Sequence, residues 1–231
     1  MSAQSFEAIY KYNLWITGSG TGSIYWNNKP YIKFLENIIK NYNIKSIIEL
    51  GCGDCKLWEN IKFDGEFIGI DIVDNKISPT HKFYNRYRKF NLLKDNPQNL
   101  NLNNSVDLLI IKDLFVHLSN KNMEDILRKI DRLNGKYLLL AEDSHYLIKS
   151  GAFPNQLNIK DGLYRPININ LDLLKLESSN YYEITYLLWI NFWIALFFTF
   201  LIRKNYIFAN LVSVIILLWI PKKELLLYRL S

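Results

Sequence analysis

The stretch Ile47-Ile48-Glu49-Leu50-Gly51-Cys52-Gly53-Asp54-Cys55 restricts the folds open to this chain more than any other. An apolar run closed by an acid and then by two glycines one residue apart predicts a buried strand that stops in a tight turn, where a ligand can approach bare backbone. Residues 54–62 then predict a short helix, and Phe67-Ile68-Gly69-Ile70 a second strand that ends in Asp71. Strand, glycine turn, helix, strand and acid is the start of a parallel α/β sheet.

The rest of the chain extends that pattern. Pro30 suits the first helical position, and Tyr31, Phe34, Leu35, Ile38, Ile39 and Tyr42 fall on one face of the helix it opens. Val106–Ile111 reads as a buried strand. A helix follows, with Met123, Ile126, Leu127 and Ile130 on one face and Ser119 or Asn120 as N-cap. Tyr137–Ala141 is a further strand running into Glu142 and Asp143, and Leu225–Leu230 reads as a last strand able to return to the sheet. Residues 150–180 read as a long loop over the carboxyl ends of the strands. Ahead of the first helix, Trp15-Ile16-Thr17-Gly18-Ser19-Gly20-Thr21-Gly22-Ser23 is either a linker or a cradle of backbone amides for an anion. Residues 81–90 interleave basic and aromatic side chains, as an edge strand kept soluble by charge or as a nucleic-acid surface.

A net charge of +6 favours anionic partners without choosing among nucleic acid, phosphorylated metabolites and membranes. Cys52 and Cys55 are the two cysteines, and no second ligand pair accompanies them; they read as two thiols in a turn rather than as a zinc or redox pair. The N-terminus has no basic region followed by an apolar one, which places the catalytic part in the cytoplasm. Ile184–Ile202 is an uncharged run of 19 residues and Asn205–Ile220 one of 16, separated by Arg203 and Lys204. A bilayer span takes roughly 17 to 25 such residues. Residues 184–220 therefore predict a membrane-associated hairpin, the alternative being an all-apolar helical pair buried against protein. Lys222, Lys223 and the Tyr and Trp residues near its ends suit an interface.

Charge narrows what the glycine turn can hold. A dinucleotide fingerprint wants a third glycine where Lys56 stands, and Glu49 would repel a pyrophosphate while suiting a cationic ligand end. Asp71 can accept hydrogen bonds from a ribose diol.

With these residues in place, IIELGCGDC followed by GIDIVD resembles the first two motifs of class I S-adenosylmethionine-dependent methyltransferases. VDLLIIKDLFVHLS resembles their fourth motif. WITGSGTGS with KPYIKFLENIIK is similar to a bacterial subgroup with a Trp and GSGxGS segment before the first strand. The resemblance spans about residues 6–180 and the final strand. It implies a Rossmann-like, doubly wound, mostly parallel seven-stranded α/β sheet, to which the apolar runs add a C-terminal hairpin. The organisation is then a lid segment and helix at 1–42, a cofactor-binding core at 43–183, the hairpin at 184–220 and a final strand at 221–231.

The cofactor implied is S-adenosylmethionine. By resemblance Glu49 meets its methionine end, Gly51, Cys52, Gly53 and Asp54 let the backbone approach, Asp71 with Ile72 takes the ribose, and Asn91 with Leu92 the adenine. Trp15, Gly18, Ser19 and Gly20 become a lid, and Lys112 and Asp113 lie beside the transferred methyl. Methyl transfer is an in-line displacement that needs alignment more than a strong acid or base. If the nucleophile is a hydroxyl or amine, Asp113 or His117 takes its proton, His117 being better matched near neutral pH. The alternative is that Asp113 caps a helix and His117 packs. The expected acceptor is unidentified, membrane-adjacent or a small molecule. Nucleic acid is the rival, disfavoured because KDLF follows the fourth strand where base-amino methyltransferases carry an Asp/Asn-Pro-Pro-aromatic sequence. Oligomeric state leaves no mark in the sequence.

Overall fold

A computed structural model of the chain describes residues 3–15, 19–73, 87–89, 105–130, 133–144, 158–167, 178–184 and 222–230. Gly18, Asn91, Leu92, His145 and the hairpin segment 185–220 lie outside the described residues.

The apolar runs form one sheet. At its centre β1 (Ser46–Leu50) pairs in parallel with β2 (Glu66–Asp71) on one side and β4 (Val106–Lys112) on the other. Beyond β2, the short β3 (Tyr87–Lys89) is the edge strand expected within 81–90. Beyond β4 come β5 (Gly135–Ser144), parallel, then β7 (Lys222–Arg229) and β6 (Ser178–Ile184), with β7 antiparallel to both. The order is β3-β2-β1-β4-β5-β7-β6.

Period-two alternation puts each strand's apolar residues on both faces, which is why the central strands read as unbroken apolar runs. Ile48, Leu50, Leu109, Ile111, Leu138 and Leu140 pack in one layer with Met123, Ile126, Leu127 and Ile130 of helix α3 (Asn120–Ile130). Ile47, Leu108, Ile110, Leu139 and Ala141 pack in the other with Tyr31, Ile32, Leu35 and Ile38 of helix α2 (Tyr25–Asn41). Helices on both faces make the sheet doubly wound. Helix α1 (Ala3–Lys11) adds Phe6 and Ile9 to the first layer. Ser119 caps α3 as expected, its Oγ accepting from the Asn122 N–H at 3.4 Å.

Three local expectations are corrected. Pro30 does not open α2; the helix starts at Tyr25, and the side chain of Asn28 secures its first turn by donating to the Gly22 and Ile24 carbonyls, both at 2.8 Å. The segment after the glycine turn is a 3₁₀ turn, Lys56–Asn60, entered through Cys55 in the left-handed region. Residues 178–184, expected as loop running into hairpin, form β6. This is an edge strand, and an edge needs ladder bonds on one side only, so its polar sequence SSNYYEI gives little apolar signal.

Register also fixes where the undescribed connection departs. Ile184 pairs with Lys223, and Ser144 at the end of β5 pairs with Lys222. Ile184 and Lys222, the described residues on either side of that connection, therefore both stand at the carboxyl edge of the sheet. Among the described residues no helix is long and apolar enough to cross a membrane.

Candidate active site

The carboxyl edge holds the glycine turn. Gly51 and Gly53 have φ of +76° and +56°, and the Gly51 and Cys52 amides both donate to the Ile70 carbonyl, at 2.7 and 3.2 Å. A Cβ on Gly51 would stand 2.9 Å from Leu114 Cδ1, and one on Gly53 would overlap the Ser19 hydroxyl. Both positions need glycine for conformation and for space. Asp71, closing β2, is tied to the turn: its Oδ2 accepts from the Gly53 N–H at 2.9 Å and its Oδ1 from the Val73 N–H at 3.0 Å. Burial pushes its pKa up, opposed by those two donors.

Cys52 and Cys55 sit behind the turn, packed on Gly69 of β2, where a Cβ would come within 2.8 and 3.1 Å of their sulfurs. Both are free thiols, burial pushes the Cys52 thiol up, and the described residues hold no cluster of His, Cys, Asp or Glu able to bind a metal. A thiol held protonated is a poor nucleophile and a poor ligand. Both side chains pack against Gly69.

Glu49 is buried and accepts a hydrogen bond from Trp58 Nε1, a partner that the sequence reading missed. Trp58 sits on the 3₁₀ turn nine residues on, and a lone Trp after a glycine turn carries no signal of its own. Desolvation raises the Glu49 pKa to about 7, with the Trp58 bond and Lys112 pulling it down. Glu49 therefore changes charge near neutral pH.

The N-terminal segment closes over the turn. Ser19 Oγ accepts from the Asp54 N–H at 2.8 Å and lies 3.2 Å from Tyr10 Oη. Gly20 (φ +86°) packs on the Trp15 ring, and the Gly22 carbonyl accepts from Lys112 Nζ at 2.7 Å. Trp15 stacks on His117, centroids 4.7 Å apart and planes 30° apart. Trp15, Ser19 and Gly20 thus line the same cavity as the glycine turn, with Ser19 in contact with Gly53 and Asp54. Ser19 through its hydroxyl and Gly22 through its carbonyl tie this segment to the core.

The opposite wall is an ion cluster the sequence did not foreshadow in full. Asp113 follows β4 with φ of 52°, outside any helix, and is paired by Lys112 beside it and by Lys223 from β7. Lys223 also meets Asp143 at 3.0 Å, and Tyr164 Oη donates to Asp143 at 3.1 Å. The two ammonium groups hold the Asp113 carboxyl well below the usual carboxylate range against the cost of burial. Asp113, a candidate base, stands here as the half-buried counter-ion of two lysines, and a carboxylate so stabilised is a weak base. It does not cap a helix either. Glu142, fully buried, receives the Leu114, Phe115 and Val116 amides at 3.0, 2.9 and 3.3 Å, anchoring the 3₁₀ turn Phe115–His117. Burial and nearby Asp113 raise its pKa to about 8.

His117 Nδ1 lies 3.1 Å from the Leu163 carbonyl. A carbonyl can only accept, so Nδ1 carries the proton and Nε2 offers a lone pair in the neutral ring. Burial lowers its pKa and keeps it neutral.

These walls enclose a cavity of about 400 Å³ lined by Glu49, Gly51, Gly53, Asp71, Ile72, Lys112 and His117, with Trp15, Ser19 and Gly20 on the lid side. That is within the usual size for cofactor sites. Buried carboxylates, bare glycine backbone and mixed apolar lining fit a cationic nucleoside better than a dinucleotide, whose pyrophosphate would face Glu49.

Fold and cavity together describe a Rossmann-like domain with a cavity at the carboxyl ends of its first strands, where such folds bind ligands. Residues 48–138 match the family model described as a methyltransferase domain. That match covers less than half of the chain, and over those residues the chain is similar to a methyltransferase domain. Among curated proteins no sequence matches. Solved structures share the fold. They include mycolic acid cyclopropane synthase CmaA1 in complex with S-adenosylhomocysteine (SAH; 9% identity, 100% of this chain and 99% of that one, TM-score 0.60). Magnesium protoporphyrin IX methyltransferase of Synechocystis PCC 6803 with bound SAH is similar at 12% identity, over 90% and 86%, with a TM-score of 0.52. The N-methyltransferase NodS of Bradyrhizobium japonicum WM9 in complex with SAH is similar at 9%, over 88% and 87%, with a TM-score of 0.53.

Proposed function

We propose that the chain methylates a protic nucleophile, a hydroxyl or an amine, presented at a membrane surface, with His117 as the base. S-adenosylmethionine supplies an electrophilic methyl on a sulfonium. Glu49 would receive the cationic methionine end, Gly51, Cys52, Gly53 and Asp54 would give backbone access, and Asp71 beside Ile72 would take the ribose hydroxyls. Trp15, Ser19 and Gly20 exclude water, and Lys112 holds the cover shut through the Gly22 carbonyl.

The observation that carries the base assignment is the hydrogen bond at His117 Nδ1, which leaves Nε2 as the acceptor of a ring that lines the cavity. Asp113, the rival base, is neutralised by two lysines. The membrane part rests on the uncharged runs within 184–220 and on the place of Ile184 and Lys222 at the site edge.

Calorimetry with S-adenosylmethionine and SAH tests the site. Binding of neither by the folded chain would refute it. Membranes incubated with methyl-labelled cofactor should carry label into the organic extract; label confined to nucleic acid would overturn the membrane acceptor. His117→Asn keeps a donor for the Leu163 carbonyl and removes Nε2. It should slow transfer by about 10²- to 10⁴-fold with cofactor affinity unchanged.

A further inference from the structure

We infer that the rim of the cavity is a docking surface that seats the mouth of the site on an anionic lipid bilayer. The large apolar side chains exposed among the described residues are Tyr12, Leu14, Tyr25, Trp26, Leu163 and Tyr164. They are not scattered. Leu14 adjoins Trp15, Trp26 adjoins Asn27 and Leu163 adjoins Tyr164, and Trp15, Asn27 and Tyr164 all line the cavity. Trp15 stacks on His117, which in turn lies 5.9 Å from the Tyr164 ring, so the first and third of these segments meet at the mouth. Trp26, Leu14 and Leu163 are 71%, 61% and 57% exposed, more than a monomer gains from leaving in water at one edge.

Three observations select a bilayer as the occupant. Ile184 and Lys222, which in sequence bracket two uncharged runs of about the length a bilayer takes, both stand at this same edge of the sheet. Aromatic rings on the rim are paired with lysines: Lys29 Nζ lies 3.9 Å from the Trp26 ring centre and Lys11 Nζ 5.2 Å from that of Tyr12. Rings beside long cationic side chains suit the headgroup layer. The acids of the neighbouring segments are turned to protein groups, Asp54 to Lys56 and Asp161 to Ser119 and Asn122, which leaves the positive charge of the rim to face phosphate. The inference deepens the membrane-surface acceptor proposed above and rests on that reading for its purpose; the docking itself rests on the rim.

Hydrogen exchange of the full chain with phosphatidylcholine vesicles, with and without phosphatidylserine, tests it. Amides of 12–14, 25–27 and 162–164 should slow on vesicles containing phosphatidylserine, while those of 43–45 and 133–135 on the opposite edge should not. Leu14→Ser, Trp26→Ser and Leu163→Ser combined should abolish that protection and weaken vesicle partition at least about tenfold. Protection on the opposite edge, equal protection on vesicles lacking phosphatidylserine, or protection that appears without vesicles as protein concentration rises would each overturn the proposal, the last by making the rim a contact between copies. Calorimetry with S-adenosylmethionine on the same triple variant separates the two readings: retained cofactor binding with lost docking bears on the rim alone. Absent cofactor binding in the unaltered chain with docking intact bears on the enzyme site alone.

Discussion

Glu49 and Asp113 line one cavity and have opposite fates. Glu49 has an indole donor and a buried setting that raises it to about 7; Asp113 has two ammonium partners that hold it ionised. A cationic ligand end binds the Glu49 carboxylate and not its acid, so cofactor affinity should rise with pH up to about 7 and level off above. Below that point it should fall by up to about tenfold per pH unit, with a proton released on binding. Calorimetry in two buffers of different ionisation enthalpy reads both effects. Glu49→Gln should weaken binding about tenfold to a hundredfold and flatten the pH profile. Gly53→Ala tests conformation and space together, because φ is +56° and the Cβ would meet the Ser19 hydroxyl. It should cost about 1 kcal/mol or more in urea unfolding and open the lid, which weakened cofactor binding would show. Wild-type affinity in that variant would contradict the close approach.

At the scale of the element, the turn after β4 depends on a residue of its neighbour. Glu142 of β5 accepts three consecutive amides of residues 114–116, so it positions His117 without touching the cavity chemistry. Glu142→Leu should cost on the order of 3 kcal/mol in urea unfolding, since three amide donors, two of them buried, lose their acceptor, and Glu142→Gln should cost less. A neutral effect of the leucine variant would remove this role. Such an anchor was not legible in the sequence: Glu142 and Asp143 read alike as acids at a strand end, and only the neighbouring turn tells them apart. What was legible follows from pattern. The buried strands β1, β2, β4 and β5 announce themselves as apolar runs, and α2 and α3 as apolar faces. The positive-φ turn shows in its glycines. What was not legible depends on partners distant in sequence: Trp58 on Glu49, and Lys223 on Asp113 across 110 positions. Edge strand β6 hid because its sequence SSNYYEI carries no apolar run, and the extent of α2 hid because Asn28, not Pro30, secures its start.

For the whole molecule, the buried carboxyls make stability a function of pH with a sign opposite to that of surface-paired acids. Glu49 and Glu142 have folded pKa values of about 7 and about 8, both raised from an ordinary 4.5 by burial. Between 4.5 and those values the folded chain holds more protons than the unfolded one, so stability falls as pH rises and the loss is complete above 8. Other groups, Asp107 among them, act the other way, in other windows. Asp113, with its lowered pKa, stabilises above an ordinary 3.8 and is lost only in acid, and His117, also lowered, costs stability as pH falls below 6.5. The window from 6.5 to 8 therefore belongs mainly to Glu142, with Glu49 in its lower half. The thermal midpoint of the cofactor-free chain should drop across it. Glu142→Gln should flatten most of that slope. Saturating S-adenosylmethionine, by holding Glu49 ionised, should flatten the part below 7 and leave the part above. A midpoint that rises from pH 6.5 to 8 would mean that Glu142 is ionised throughout by its three amide donors, and the turn that carries His117 would then be held by a charge rather than by a neutral acid.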